Sequence, residues 1–220
     1  MHAENQTEKP GKGRVGKAGR LTRERVIDAG MEVVRNESLD GLTMKRVAET
    51  LGSSVMSLYH HVRDREDLVN GMVEQVAGEL PDPPSDTNPV EELVAIFALF
   101  YRAFRRNPWV VRCLIEGHPG SARVEPLIER SLIAFERLGL EGAEAGHAYH
   151  AILHYTYGEV MVMDAFESGK HYFAPTMELR LPAMVRTMGA IEEGIPGPEP
   201  YYQNLRRILF GYRRHGERNS

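Results

Sequence analysis

The sequence predicts an all-α chain in two parts, and three observations carry this. Apolar residues recur at helical spacing over most of the chain. No alternating run of useful length reads as a strand, and Leu153–Tyr157, strand-like by propensity, has neighbours with the helical period. The stretch "PDPPSDTNP" at 81–89 is a clear break, built of residues that end helices and make turns. The length of 220 residues suits one or two domains, and 42% apolar with 26% charged residues is ordinary for a globular protein.

Residues 1–19 show no periodicity and read as a disordered basic arm. The first helix starts after Thr22, a fit N-cap, with Glu24 in the first turn; Val26, Ile27, Met31 and Val34 form its apolar stripe. Gly30 sits inside it, at a cost of ~1 kcal/mol against alanine. After "NESLDG" a short second helix is capped by Thr43, faces inward with Val47, Ala48 and Leu51, and stops at Gly52. The third, "VMSLYHHV", is barely two turns, with Leu58 and Val62 inward. Asp64 caps a fourth that runs to about Leu80 on Leu68, Met72, Val73 and Val76. Beyond the break the helices expected are Val90–Arg106, Pro108–Glu116, Val124–Leu138, Glu144–Ser168, Met177–Glu193 and Glu199–Arg213.

Composition narrows the function classes. The longest apolar run, "LVAIFALF" at 93–100, is far short of the ~20 residues of a membrane span, so no membrane partner is expected. The N-terminus has no apolar secretion core, and the single Cys113 excludes an intrachain disulfide and a cysteine zinc cluster. The cytoplasm is the simplest location. Net charge is −4, but residues 1–65 hold 12 Lys/Arg against 9 Asp/Glu while the rest hold 15 against 22. A basic head on an acidic body suits an anionic partner at one end.

Helix, glycine stop, short helix is the helix-turn-helix pattern. Apolar anchors under both helices leave Val55, Met56, Ser57, Tyr59, His60 and His61 on the outer face of the second. A short helix of this kind fits the major groove of double-stranded DNA.

The match is wider than the pattern. The run Leu21 to Val69, above all "DGLTMKRVAETLG" and "SLYHHVRDREDL", resembles the DNA-binding domain of the tetracycline-repressor (TetR) family, and "YHHV" brings it nearest the tetracycline-repressor branch. The resemblance implies that Thr43, Met44 and Lys45 meet phosphate and the groove edge. It implies that Val55, Met56 and Ser57 face bases, that Tyr59, His60 and His61 fix the recognition helix on the backbone, and that Arg65 clamps a phosphate. Val55 and Met56 are apolar where relatives often carry polar base readers. The arm at 1–19 reads equally as a phosphate or minor-groove contact and as a solvated tail.

In the second half, aromatic residues with sparse polar groups suggest a small-molecule pocket, though the same pattern suits plain core. Its candidates are Phe100, Phe104, Trp109, Glu116, His118, His150, His154 and Tyr155. His147, His150 and His154 share a helix face. Without an HExxH or an acidic partner at a diagnostic spacing, that face reads as interface or pocket ahead of metal, and no metal or cofactor is assigned. Ala151, Gly158, Val162 and Ala165 make a small-residue row on the same helix. In the resembling family this helix and the last one build the dimer, and Leu205, Ile208, Leu209 and Tyr212 would supply the last helix's share; intrachain packing is the alternative.

The organisation expected is therefore an arm (1–19), a three-helix helix-turn-helix DNA-binding domain (20–68), a connecting helix and linker (69–88), a helical ligand-binding and dimerisation domain (89–213) and a tail (214–220). The expected function is a homodimeric transcription regulator, most simply a repressor released from a near-palindromic operator by a small molecule. The rivals are a regulator answering to a protein partner, and a helical enzyme using the His/Glu-rich half. No nucleophile elbow, phosphate loop or metalloprotease motif supports the enzyme.

Overall fold

The structure is a computed structural model, and it describes residues 20–83, 85–169 and 198–219. Every regular element among the described residues is helical. The chain divides into two compact units, with the boundary between Leu68 and Val69. The expected arm at 1–19 and the expected helix at Met177–Glu193 lie outside the described residues.

In the first unit, α1 (Arg23–Glu37) begins where the Thr22 hydroxyl accepts the Arg25 amide, one of the amides a helix start leaves without an intrahelical partner. Ser38 ends the helix with φ 68°, a left-handed backbone uncommon for serine. A 3-10 turn (Leu39–Gly41) leads to α2 (Met44–Leu51), where Thr43 Oγ1 accepts the Arg46 amide at 3.1 Å. Gly52 closes α2 in the left-handed conformation (φ 59°, ψ 35°), and its amide donates to the Ala48 and Glu49 carbonyls. Ser54 then caps α3 (Val55–Leu58) by accepting the Ser57 amide.

Regular helix ends at Leu58, although the sequence pattern predicts helix through Val62. The His61 amide bonds the Leu58 carbonyl three residues back, and Arg23 Nη1 takes the His61 carbonyl at 2.9 Å. The chain therefore leaves α3 as a tightened turn. It delivers Asp64, whose carboxylate caps α4 (Arg65–Gly78) by accepting the Asp67 amide at 2.7 Å. The core of this unit is Val26, Leu42, Val47, Leu58, Val62 and Leu68, all essentially inaccessible. Full burial of such a side chain contributes roughly 1.5–3 kcal/mol.

In the second unit, α5 (Pro89–Arg106) packs against α6 (Pro108–Ile115), α7 (Glu125–Glu136), α8 (Ala143–Glu167) and α9 (Glu199–Asn219). Asn88 caps α5 by accepting the Val90 amide, and Pro89 at the first position sacrifices an amide that would have no partner anyway. Leu93, Ile96 and Phe97 put three faces of α5 into core, as its nearly continuous apolar run requires. Buried Glu92 accepts from Arg130 at 2.9 Å and from Arg137 at 3.0 Å, and Arg130 also holds Asp82 and the Pro83 carbonyl. The proline-rich break is thereby tied to α5 and α7. Tyr201 of α9 stacks on Tyr101 at 4.0 Å and shares a 2.8 Å hydrogen bond with the Thr156 hydroxyl. The α9 backbone continues to Asn219, through most of the stretch expected as a tail. No helix among the described residues is long and apolar enough to cross a membrane.

Candidate nucleic-acid interface and effector cavity

The outer surface of α2 and α3 carries the residues singled out in the sequence. Thr43 and Lys45 are exposed at the start of α2, with Met44 half-buried beside them. On α3, Met56 is 72% exposed, while Val55 and Ser57 are half-buried. Tyr59 and His60 are exposed in the turn that follows, and His61 is half-buried. The Ser57 hydroxyl is engaged with that of Ser54 at 2.8 Å. A 72% exposed methionine at the leading edge of a two-turn element is an apolar surface that water does not favour and a base edge could cover.

Arg65 is used differently from its sequence expectation of a phosphate clamp. Its Nε donates to the Leu42 carbonyl at 2.9 Å and Nη2 to the Leu39 carbonyl at 3.1 Å. Two donors of the guanidinium thus fix the segment that feeds Thr43 into α2.

Sequence reasoning missed the brace behind the recognition turn. Arg23 makes a forked pair with Asp67, at 2.8 and 3.0 Å, and holds the His61 carbonyl as well. Asp67 also accepts the Arg63 amide at 2.9 Å. The hydrogen bonds from Arg23 hold the Asp67 carboxyl down at about 2, and the carboxylate in turn raises Arg23. The turn between α3 and α4 is thereby clamped to α1. A second forked contact, Arg46 to Glu37, ties α2 to α1.

The second unit encloses a cavity of about 260 Å³, just below the ~300–1,000 Å³ usual for small-molecule sites. Its walls come from the second half of α4, from α5, α6, α7 and α8, and from the segment around Ser121. Of the eight ligand candidates, Phe100, Phe104 and His150 line it. The other five are placed outside its lining. Glu116 pairs with Arg112 at 2.9 Å, Tyr155 stacks on Tyr201, His154 lies beside His150, Trp109 is half-buried on α6, and His118 keeps a buried Nδ1 without a partner among the described residues. Tyr149, Tyr157 and Ser121 line the cavity and were missed. The signal was available for the tyrosines, since 149, 153 and 157 recur every four residues on one face of α8.

His147 opens instead on a groove between α8 and α9 shared with Ala151, Ile208, Gly211 and Tyr212. Ala151, Gly158 and Val162 of the small-residue row are exposed. Leu205 and Leu209, expected at a subunit interface, go wholly into the chain's own core, which leaves Ile208 and Tyr212 half-buried at the groove. Among the described residues no group of three His, Cys, Asp or Glu is placed to hold a metal ion.

A helix-turn-helix unit followed by a helical unit with an apolar cavity defines a class, the helix-turn-helix transcription regulators. Within it, the chain is a homologue of the TetR-family transcriptional regulators, in sequence along most of its length and in fold. No protein-family model matches the chain. The class D tetracycline repressor of Escherichia coli is 23% identical over 196 residues, which are 88% of this chain and 89% of the relative. The HTH-type transcriptional repressor DrrR1 of Streptomyces coeruleorubidus is 34% identical over 94 residues; the match spans 42% of this chain and only 35% of that protein. The structure of the TetR family protein ActR of Streptomyces coelicolor, in complex with actinorhodin, superposes with a TM-score of 0.71 at 20% identity and covers 90% of this chain and 99% of ActR.

Proposed function

We propose that this chain is a homodimeric, ligand-responsive DNA-binding regulator that represses transcription and is released from its operator by a small molecule. The observation that carries the reading is the α2–Gly52–α3 unit, braced from behind by Arg23 and presenting Lys45, Met56, Tyr59 and His60 outward. The N-terminal residues of α3 enter the major groove, with Val55 and Met56 against thymine methyl groups and Ser57 at a base edge. Thr43, Met44, Lys45, Tyr59, His60 and His61 contact the backbone and groove edge, and Arg65 positions α2 besides any phosphate contact it makes. A relative of the same fold is known with a bound small molecule, which favours a ligand over a protein partner as the signal.

Two copies associate through the α8–α9 groove, and the two-fold axis sets the recognition helices one DNA turn apart, roughly 34–36 Å. The effector occupies the cavity against Phe100, Phe104 and His150. Helix α4 supplies residues to both units, Arg65–Leu68 to the first and Val76 and Leu80 to the cavity wall. An effector that favours a displaced α4 shifts the population away from the DNA-binding form. Near-complete release requires about 10⁴-fold preference for that form, about 5.5 kcal/mol. The test is a duplex selected from a random library, followed by titration of small molecules against the complex. A selected near-palindrome that some ligand releases is the expected result; absence of any selected sequence would refute the reading.

A further inference from the structure

We infer that the cavity takes an uncharged, planar polycyclic aromatic molecule with acceptor oxygens along one long edge, bound without a divalent cation. The inference rests on the effector reading above and supplies the chemistry of its ligand.

Charge comes first. No Asp, Glu, Lys or Arg lines the cavity. A ligand carboxylate, sulfonate or phosphate brought there would lose its water and meet no counter-charge, a cost of several kcal/mol. A chelated divalent cation fares no better. The lining offers one imidazole and no carboxylate, and hard cations are held by oxygen ligands, carboxylates foremost. That imidazole, His150, already directs Nδ1 at the Gly146 carbonyl at 2.8 Å. A carbonyl only accepts, so Nδ1 carries the proton and Nε2 is left as an acceptor.

Shape comes second. Phe100 and Phe104 stack at 6.1 Å with 18° between their planes, and Tyr157 meets Phe104 edge-on at 5.6 Å. These rings offer a broad aromatic wall. The α4 share of the lining, Val73, Val76 and Leu80, is aliphatic. Aromatic faces favour offset stacking with another flat ring system.

Polar groups come last. Tyr149 and Tyr157 lie eight residues apart on α8, about 12 Å along the axis. Neither hydroxyl has a hydrogen-bond partner among the described residues, and burial pushes both up to about 12. Both therefore stay protonated and donate. A span of this length suits several fused rings better than one, and two separated donors call for two acceptors, as in the carbonyl oxygens of a polycyclic quinone. Nε2 of His150 then accepts from a ring hydroxyl.

The test uses the full chain and calorimetry with three probes: 1,8-dihydroxyanthraquinone, its sulfonated derivative, and anthracene. The hydroxyquinone should bind equally with and without EDTA, and the sulfonate at least 10-fold more weakly. Tyr149→Phe and Tyr157→Phe keep the packing, and each should weaken the hydroxyquinone about 3–10-fold while leaving anthracene unchanged. Failure of the hydroxyquinone to bind, an EDTA-sensitive complex, a sulfonate that binds as well, or phenylalanine variants that match wild type would each overturn the proposal. A selected DNA duplex separates the two readings. If a charged molecule releases it and the quinone does not, the ligand class falls and the regulator stands. If the quinone binds as described but no duplex is ever bound, the ligand class stands and the regulator falls.

Discussion

Arg23 shows what a single side chain does in this fold. Its planar fork matches the Asp67 carboxylate and leaves a donor for the His61 carbonyl, a geometry lysine cannot reproduce. Arg23→Lys should therefore lower operator affinity and the unfolding midpoint of the first unit, by about 1 kcal/mol, since the arginine is partly exposed and solvent screens the pair. Denaturant titration followed by circular dichroism, beside DNA anisotropy, measures both. The same pair sets an acid limit. Asp67 titrates at about 2 in the fold against 3.8 unperturbed, so its stabilisation is present above pH 3.8 and disappears as pH falls toward 2. In Asp67→Asn the fall in melting temperature between pH 5 and about 2 should be shallower than in wild type. None of this was legible in the sequence. Arg23 and Asp67 stand 44 residues apart, and no spacing announces a pair closed by tertiary packing.

At the scale of the element, local chemistry was legible because it is local. Thr22, Thr43 and Gly52 each act within four residues of themselves, and each caps the helix its residue type suggests. Leu153–Tyr157, ambiguous by propensity, lies inside α8, where the period of its neighbours prevails. The end of α3 was not legible, because the Arg23 guanidinium that takes the His61 carbonyl comes from another helix. Gly52 offers a clean test of the turn. A Cβ there would meet nothing within 4 Å, so any loss on substitution is backbone strain alone. Gly52→Val should cost at least 1–2 kcal/mol and Gly52→Asn distinctly less, because asparagine tolerates the left-handed region. Equal midpoints for the two variants in thermal unfolding would contradict the assigned strain.

The whole molecule was legible in outline and less so in its second half. The break at 81–89 and the helix count follow from periodicity, but the cavity depends on how α4 to α8 assemble. Composition therefore singled out Trp109 and Glu116, which stand outside the lining, and passed over Tyr149 and Tyr157, which stand within it. The exposed row Ala151, Gly158 and Val162 beside the α8–α9 groove suits a second copy of the chain. Ala151→Glu should shift the protein from dimer toward monomer in sedimentation and weaken operator binding with it. DNA affinity in turn should fall linearly with log salt, as phosphate contacts require.

The central claim is that the face built by α2 and α3 binds DNA. Fluorescence anisotropy of a selected duplex against wild type and the Lys45→Ala/Tyr59→Ala variant tests it most directly. Both side chains are exposed, so helicity and sedimentation should stay as in wild type. The account expects operator affinity to drop at least 10-fold, with a smaller dependence on salt. A variant that binds the duplex as tightly as wild type, with the same salt dependence, would contradict it.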